Sequence, residues 1–168
     1  MKQESITIRE KETAAKIQNT RINAVRTKDI AKKGVRVFAD GKIGISGAIG
    51  EVAEDKLVEN AVRNLGTGIS YPYPLSKDRK DHRSYNNNPM SAEELMSITE
   101  SVLETLGKEY SDFDFSETVS ANEITKEMRN SEGLDLEYKD AYFALGLILR
   151  EKKSANLFDG FLMCVCRQ

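Results

Sequence analysis

The chain has 168 residues, 39% apolar and 31% charged, with no Trp and three Pro, which is the composition of one folded globular domain rather than a disordered or collagen-like chain. Its single His and two Cys are too few to close a zinc site without carboxylates, and any His-based triad has to pass through His82. No apolar run approaches the roughly 20 residues of a membrane span, and the opening MKQESITIREKE has no signal core. The chain is therefore expected in the cytoplasm, away from membranes.

The formal net charge of −2 hides an asymmetry, because residues 1–50 hold 11 of the 25 basic residues and only 5 of the 27 acidic ones. A basic front third raises nucleic acid as a partner. Phe38 is the only aromatic residue in that third, so a platform for stacking bases is missing, and charged solvent faces of strands are the simpler expectation.

In chain order, Ile6 and Ile8, then Ala15 and Ile17, alternate with polar residues and predict strands. Asn19-Thr20 offers a turn into Ile22 and Ala24. Val35, Val37 and Ala39 on one arm, and Ile43 and Ile45 on the other, can each line one sheet face on either side of Asp40-Gly41, whose residues tolerate the positive φ of a tight two-residue hairpin turn. The period changes to 3.6 over 51–65, where Val52, Leu57, Val58, Ala61, Val62 and Leu65 form one stripe and Gly66 supplies a stop. Residues 66–90 crowd Gly, Pro, Asn and charge without periodicity, predicting a long loop that is loosely packed rather than a lid. Ser91 with Glu94 spells a capping box, Met90 and Leu95 a hydrophobic staple, and Gly107 an end for the helix they begin.

Phe113 and Phe115 lead back into strands, with Asn130-Ser131-Glu132-Gly133 as the turn of a second hairpin. Leu157 to Cys166 is the most apolar strand, expected either at the centre of the sheet or continued by more chain. Cys164 and Cys166, two apart, project to one face of it and are expected as buried, reduced thiols. Four strands, two helices and three strands give an α+β domain over 1–168, mainly antiparallel, with both helices on one face.

Few motifs carry chemistry. The glycines from Gly41 through Gly44 and Gly47 to Gly50 lack a P-loop ending and read as strand and turn glycines. His82 beside Asp81 reads as a solvent-exposed histidine. Glu123, Glu127, Asp135 and Glu137 lie along two paired strands, where they suit a solvent face as well as acid/base work, and no catalytic pair stands out.

The hairpin GVRVFADGKIGIS, with Gly34, Arg36, Asp40, Gly41 and Gly44, and the turn Asn130-Ser131-Glu132-Gly133 with its following strand resemble the TldD/PmbA family of DNA gyrase modulators and metallopeptidase-related proteins. The resemblance runs over roughly 5–165. It implies an amino-terminal domain of a longer architecture, holding no catalytic residue, cofactor or metal of its own, while zinc belongs to a His-Glu-x-x-x-His motif in the catalytic domain of related full-length members. This chain lacks that motif, since Arg83 follows its only His. The implied partners are a TldD/PmbA-like subunit, in a homo- or hetero-oligomer, and an unstructured peptide substrate. The expected role is assembly and peptide access for proteolysis or peptide maturation; the alternative is a nucleic-acid or gyrase-associated module built on the basic strands.

Overall fold

A computed structural model describes residues 1–85 and 88–167. The remaining Asn86 and Asn87, inside the expected 66–90 loop, and Gln168 lie outside the described residues. The chain is α+β: one largely antiparallel sheet of seven strands and two α-helices. The strands are β1 (Lys2–Gln18), β2 (Arg21–Ala39), β3 (Lys42–Ile49), β4 (Lys80–Ser84), β5 (Phe113–Asn130), β6 (Asp135–Glu151) and β7 (Gly160–Arg167); the helices are α1 (Glu54–Asn64) and α2 (Ala92–Glu109). Strand order is β3-β2-β1-β5-β6-β4, and β7 pairs with β6.

Two differences from the expected element order have physical causes. The separate short strands expected before Asp40 are two long ones: no Gly or Pro interrupts β1, and the one glycine within β2, Gly34, stays in the ladder opposite Gly47. Ion pairs between the long strands stand where apolar alternation fails: Lys32 to Glu10 at 2.9 Å and Arg26 to Glu12 at 3.2 Å. The loop after α1 also contains a strand. β4 has no apolar residue, and it is held by parallel backbone pairing from Lys80 opposite Asp135 to Ser84 opposite Lys139, a register that hydropathy does not reveal.

By its contacts the chain divides into two compact units, each with its own core. The first comprises 1–10, 29–85 and 124–139. Here the Asp40-Gly41 turn, at φ +50° and +69°, closes the expected hairpin, and its register sets Val35 opposite Ser46 and Val37 opposite Gly44, while Ile43 and Ile45 stand opposite Phe38 and Arg36 on the other face. Val35 and Val37 pack with Leu57 and Ala61 of α1. α1 ends at Asn64, and a 3-10 turn at Leu65–Thr67 carries the chain to a left-handed Gly68, so the stop falls there rather than at the expected Gly66. Part of the segment expected to be loosely packed is ordered against β3: the Ile43 and Tyr71 N–H groups donate to the Ile69 and Gly41 carbonyls at 3.0 and 2.7 Å, and the Tyr71 ring lies against Phe38.

The second unit comprises 11–28, 86–123 and 140–168. Ser91 caps α2 as its sequence requires: its hydroxyl accepts from the Glu94 N–H, and the Glu94 carboxylate accepts from the Ser91 N–H. Leu95 and Leu103 bury against Ile17, Phe115, Val119 and Leu147, with Met90 packed on the same cluster. Gly107 does not stop the helix, which continues to Glu109. An added Cβ there would stand 3.6 Å from the Thr20 methyl, an ordinary contact, so the packing does not require glycine at this position. β7 corrects the expectation of a central, buried final strand: β6 is its strand partner, its residues from Phe161 on are exposed, and Cys164 and Cys166 are free, exposed thiols rather than buried ones.

Candidate functional site

Charged side chains concentrate in the first unit where β4, the end of β5 and the start of β6 run together. A groove of about 370 Å³ there is lined by Ile6, Met128, Leu136 and Tyr138, with Arg79, Asp81, Arg83, Lys126, Glu127 and Glu137 around it. Arg83 donates two parallel hydrogen bonds to Asp81, at 2.9 and 2.7 Å, a charge-assisted fork that holds the Asp81 carboxyl below its usual range. Asp135 accepts from Arg129 at 3.2 Å and has His82 Nε2 3.0 Å away. Those two contacts, Arg129 foremost, depress its proton affinity in the same way.

His82 is thus neither in a loop nor oriented by its neighbour Asp81; it belongs to β4 and meets a carboxylate 53 positions on. Glu127 pairs with Arg129 at 3.5 Å and Glu137 with Lys139 at 3.0 Å, while Glu123 is an exposed residue of the second unit. Asp81 and Asp135, locked to cations with lowered proton affinity, are anions near neutral pH, poor both as proton donors and as strong bases. What the arrangement does chemically is tie three strands together. Among the described residues no three His, Cys, Asp or Glu side chains converge as a metal would need, so the residues present do not fit a zinc ion.

The seven motif residues all lie in the first unit, and the structure gives each a backbone or packing task. A Cβ on Gly34 would meet Ile6 at 3.1 Å; one on Gly44 would fall 1.9 Å from the Ala61 carbonyl oxygen, because α1 lies directly on β3. Arg36 pairs with Glu4, which is 5% exposed. Asp40 and Gly41 make the hairpin turn. The Asn130 side chain accepts from the Glu132 and Leu134 N–H groups at 2.9 and 3.0 Å and donates to the Ser76 carbonyl at 2.9 Å. Gly133, at φ +91°, leaves 2.8 Å between a would-be Cβ and an Asp78 carboxylate oxygen. The local residues were visible in the sequence. Their distant partners, Glu4, Ala61, Ser76 and Asp78, carried no signal there.

Several basic residues of the front third are paired with carboxylates. Beside the Lys32 and Arg26 pairs, Lys33 and Arg9 reach Glu51 at 3.4 and 3.8 Å, and Arg36 reaches Glu4.

No family model matches the sequence, and no curated protein matches it. Solved structures do. A candidate modulator of a DNA gyrase from Thermotoga maritima has a TM-score of 0.72 at 19% identity, over 99% of this chain and 39% of its own. TldE from Thermococcus kodakarensis has 0.72 at 16%, over 99% and 40%. A candidate DNA gyrase modulator from Bacteroides thetaiotaomicron has 0.68 at 8%, over 98% and 40%. This chain has their fold. It spans about two fifths of their length, and at these identities the fold is what is common. TldE and gyrase modulators are also what the sequence resemblance pointed to, from the Gly34 hairpin and the Asn130 turn.

Proposed function

We propose that this chain is the non-catalytic amino-terminal domain of a TldD/PmbA-like metallopeptidase system, contributing to assembly and to the access of unstructured peptides to a zinc site held elsewhere. The observation that carries the reading is the extent of the likeness: 98–99% of this chain is matched, but only 39–40% of the longer ones. A second support is the use of the motif residues, which are spent on turns, a helix contact and a half-buried ion pair rather than aimed at a common point. The test is co-expression of this chain with a TldD/PmbA-like subunit from the same genome. Stable co-elution, with peptide cleavage by that subunit changed in KM when this chain is present, is the expected result; separate elution and unchanged cleavage would sink the reading.

The gyrase-associated alternative makes a different prediction, namely DNA binding that falls by about 10³-fold or more between 50 and 200 mM salt if six or more phosphates are contacted. The acids paired with Arg9, Arg26, Lys32, Lys33 and Arg36 weigh against it.

A further inference from the structure

β7 pairs with β6 from Leu149 opposite Gly160 to Tyr142 opposite Arg167. Phe161, Met163 and Val165 project to one face and Leu162, Cys164 and Cys166 to the other, and all six are exposed, Met163 at 67% and Phe161 at 59%. A strand apolar on both faces is the kind that lies inside a protein, covered on each side. Its outer edge is also undefended. Elsewhere in the same unit, the stretch of β2 from Arg21 to Lys28, beyond the reach of β3, carries Arg21, Arg26 and Lys28, the charges that keep an edge from recruiting another strand. β7 has no charge between Gly160 and Arg167.

Resting on the reading above, the structure assigns β7 as the docking strand for the body of polypeptide that makes up the other three fifths of the longer proteins. That body supplies an antiparallel strand to the free edge and an apolar surface to a face of β7, whether it is joined to this chain or separate from it. A second copy of this chain fits less well. Edge-to-edge pairing of two β7 strands satisfies the backbone and leaves both apolar faces in water.

The thiols report on this directly, because Cys164 and Cys166 sit on the strand in question and react according to exposure. Maleimide labelling of the purified 168-residue chain is expected to be fast and independent of its concentration. In the protein as isolated from its source cells, the same thiols are expected to label at least about tenfold more slowly. Equal rates would overturn the docking while leaving co-elution with a partner subunit to its own test. Slowing with concentration of the purified chain alone would also overturn it, in favour of self-pairing.

The occupant is identified by a Cys164→p-benzoylphenylalanine substitution introduced into the protein as its source cells make it, which crosslinks a joined and a separate occupant alike. A crosslinked peptide from a sequence aligning with the unmatched part of the longer proteins supports the assignment. One from residues 1–168, or from an unrelated protein, or no crosslink, refutes it.

Discussion

Gly44 shows how much one missing methyl group can decide. With the Ala61 carbonyl oxygen 1.9 Å from where a Cβ would stand, Gly44→Ala can be accommodated only by lifting α1 off β3. We expect a loss of about 3 kcal/mol, the upper end for overpacking, read as a lower urea midpoint with an unchanged slope. Gly133→Ala adds backbone strain at φ +91° to a 2.8 Å contact with Asp78 and is expected to cost about 1–3 kcal/mol. For Arg36 the logic is electrostatic. Arg36→Ala strands the Glu4 carboxylate, 5% exposed, for an expected loss of about 3–5 kcal/mol, whereas Glu4→Gln with Arg36→Met removes both charges and should recover much of it. A double-mutant cycle by urea denaturation separates the two outcomes. Gly44, Gly133 and Arg36 stood out in the sequence, but only as types at a spacing; the atoms that make them necessary are brought close by the fold.

The elements differ in how openly the sequence declares them. α2 is declared openly at its start and along its face, with Ser91 and Glu94 reciprocally bonded and Leu95 and Leu103 buried, though not at its end, which passes Gly107. Ser91→Ala should therefore cost about 1 kcal/mol, checked by denaturant unfolding. The Asp40-Gly41 hairpin is as explicit. β1 and β2 were legible only in pieces, since their middle stretches are held by ion pairs between strands, and such pairing has no period along either strand. β4 was illegible for the same reason in stronger form: KDHRS buries almost nothing, and its place beside β6 rests on backbone bonds and on His82 meeting Asp135. The misreading of β7 runs the other way. Its apolar pattern was correctly seen, but pattern reports what a strand is suited to touch, and among the described residues β6 is the strand that pairs with it.

Across the whole molecule, the carboxylates of Asp81, Glu132, Asp135 and Asp159 share one property: hydrogen bonds, led by those from Arg83, Lys2, Arg129 and Asn156 respectively, hold each below its ordinary proton affinity. A carboxyl group whose folded value is depressed adds stability that is fully present above its unfolded value and is lost as pH falls toward the folded one. The thermal midpoint should therefore be nearly flat down to about pH 4.5 and fall below about pH 4. Asp135→Asn should make that acid decline shallower, and added salt should blunt it, because these pairs lie at the surface.

Strands of 17 to 19 residues raise a problem that shorter ones escape, since a slip of one residue turns every side chain to the wrong face. In the first unit the hairpin and the helix answer it jointly. The two-residue turn sets Gly44 opposite Val37, and α1 seats only where Ala61 finds a residue without a side chain. A hairpin closed one position out offers Ile43 or Ile45 at that spot, and the helix has nowhere to land. The contact thus acts as a proofreading step, in which docking of α1 accepts one alignment of the strands and returns the others to the unfolded pool.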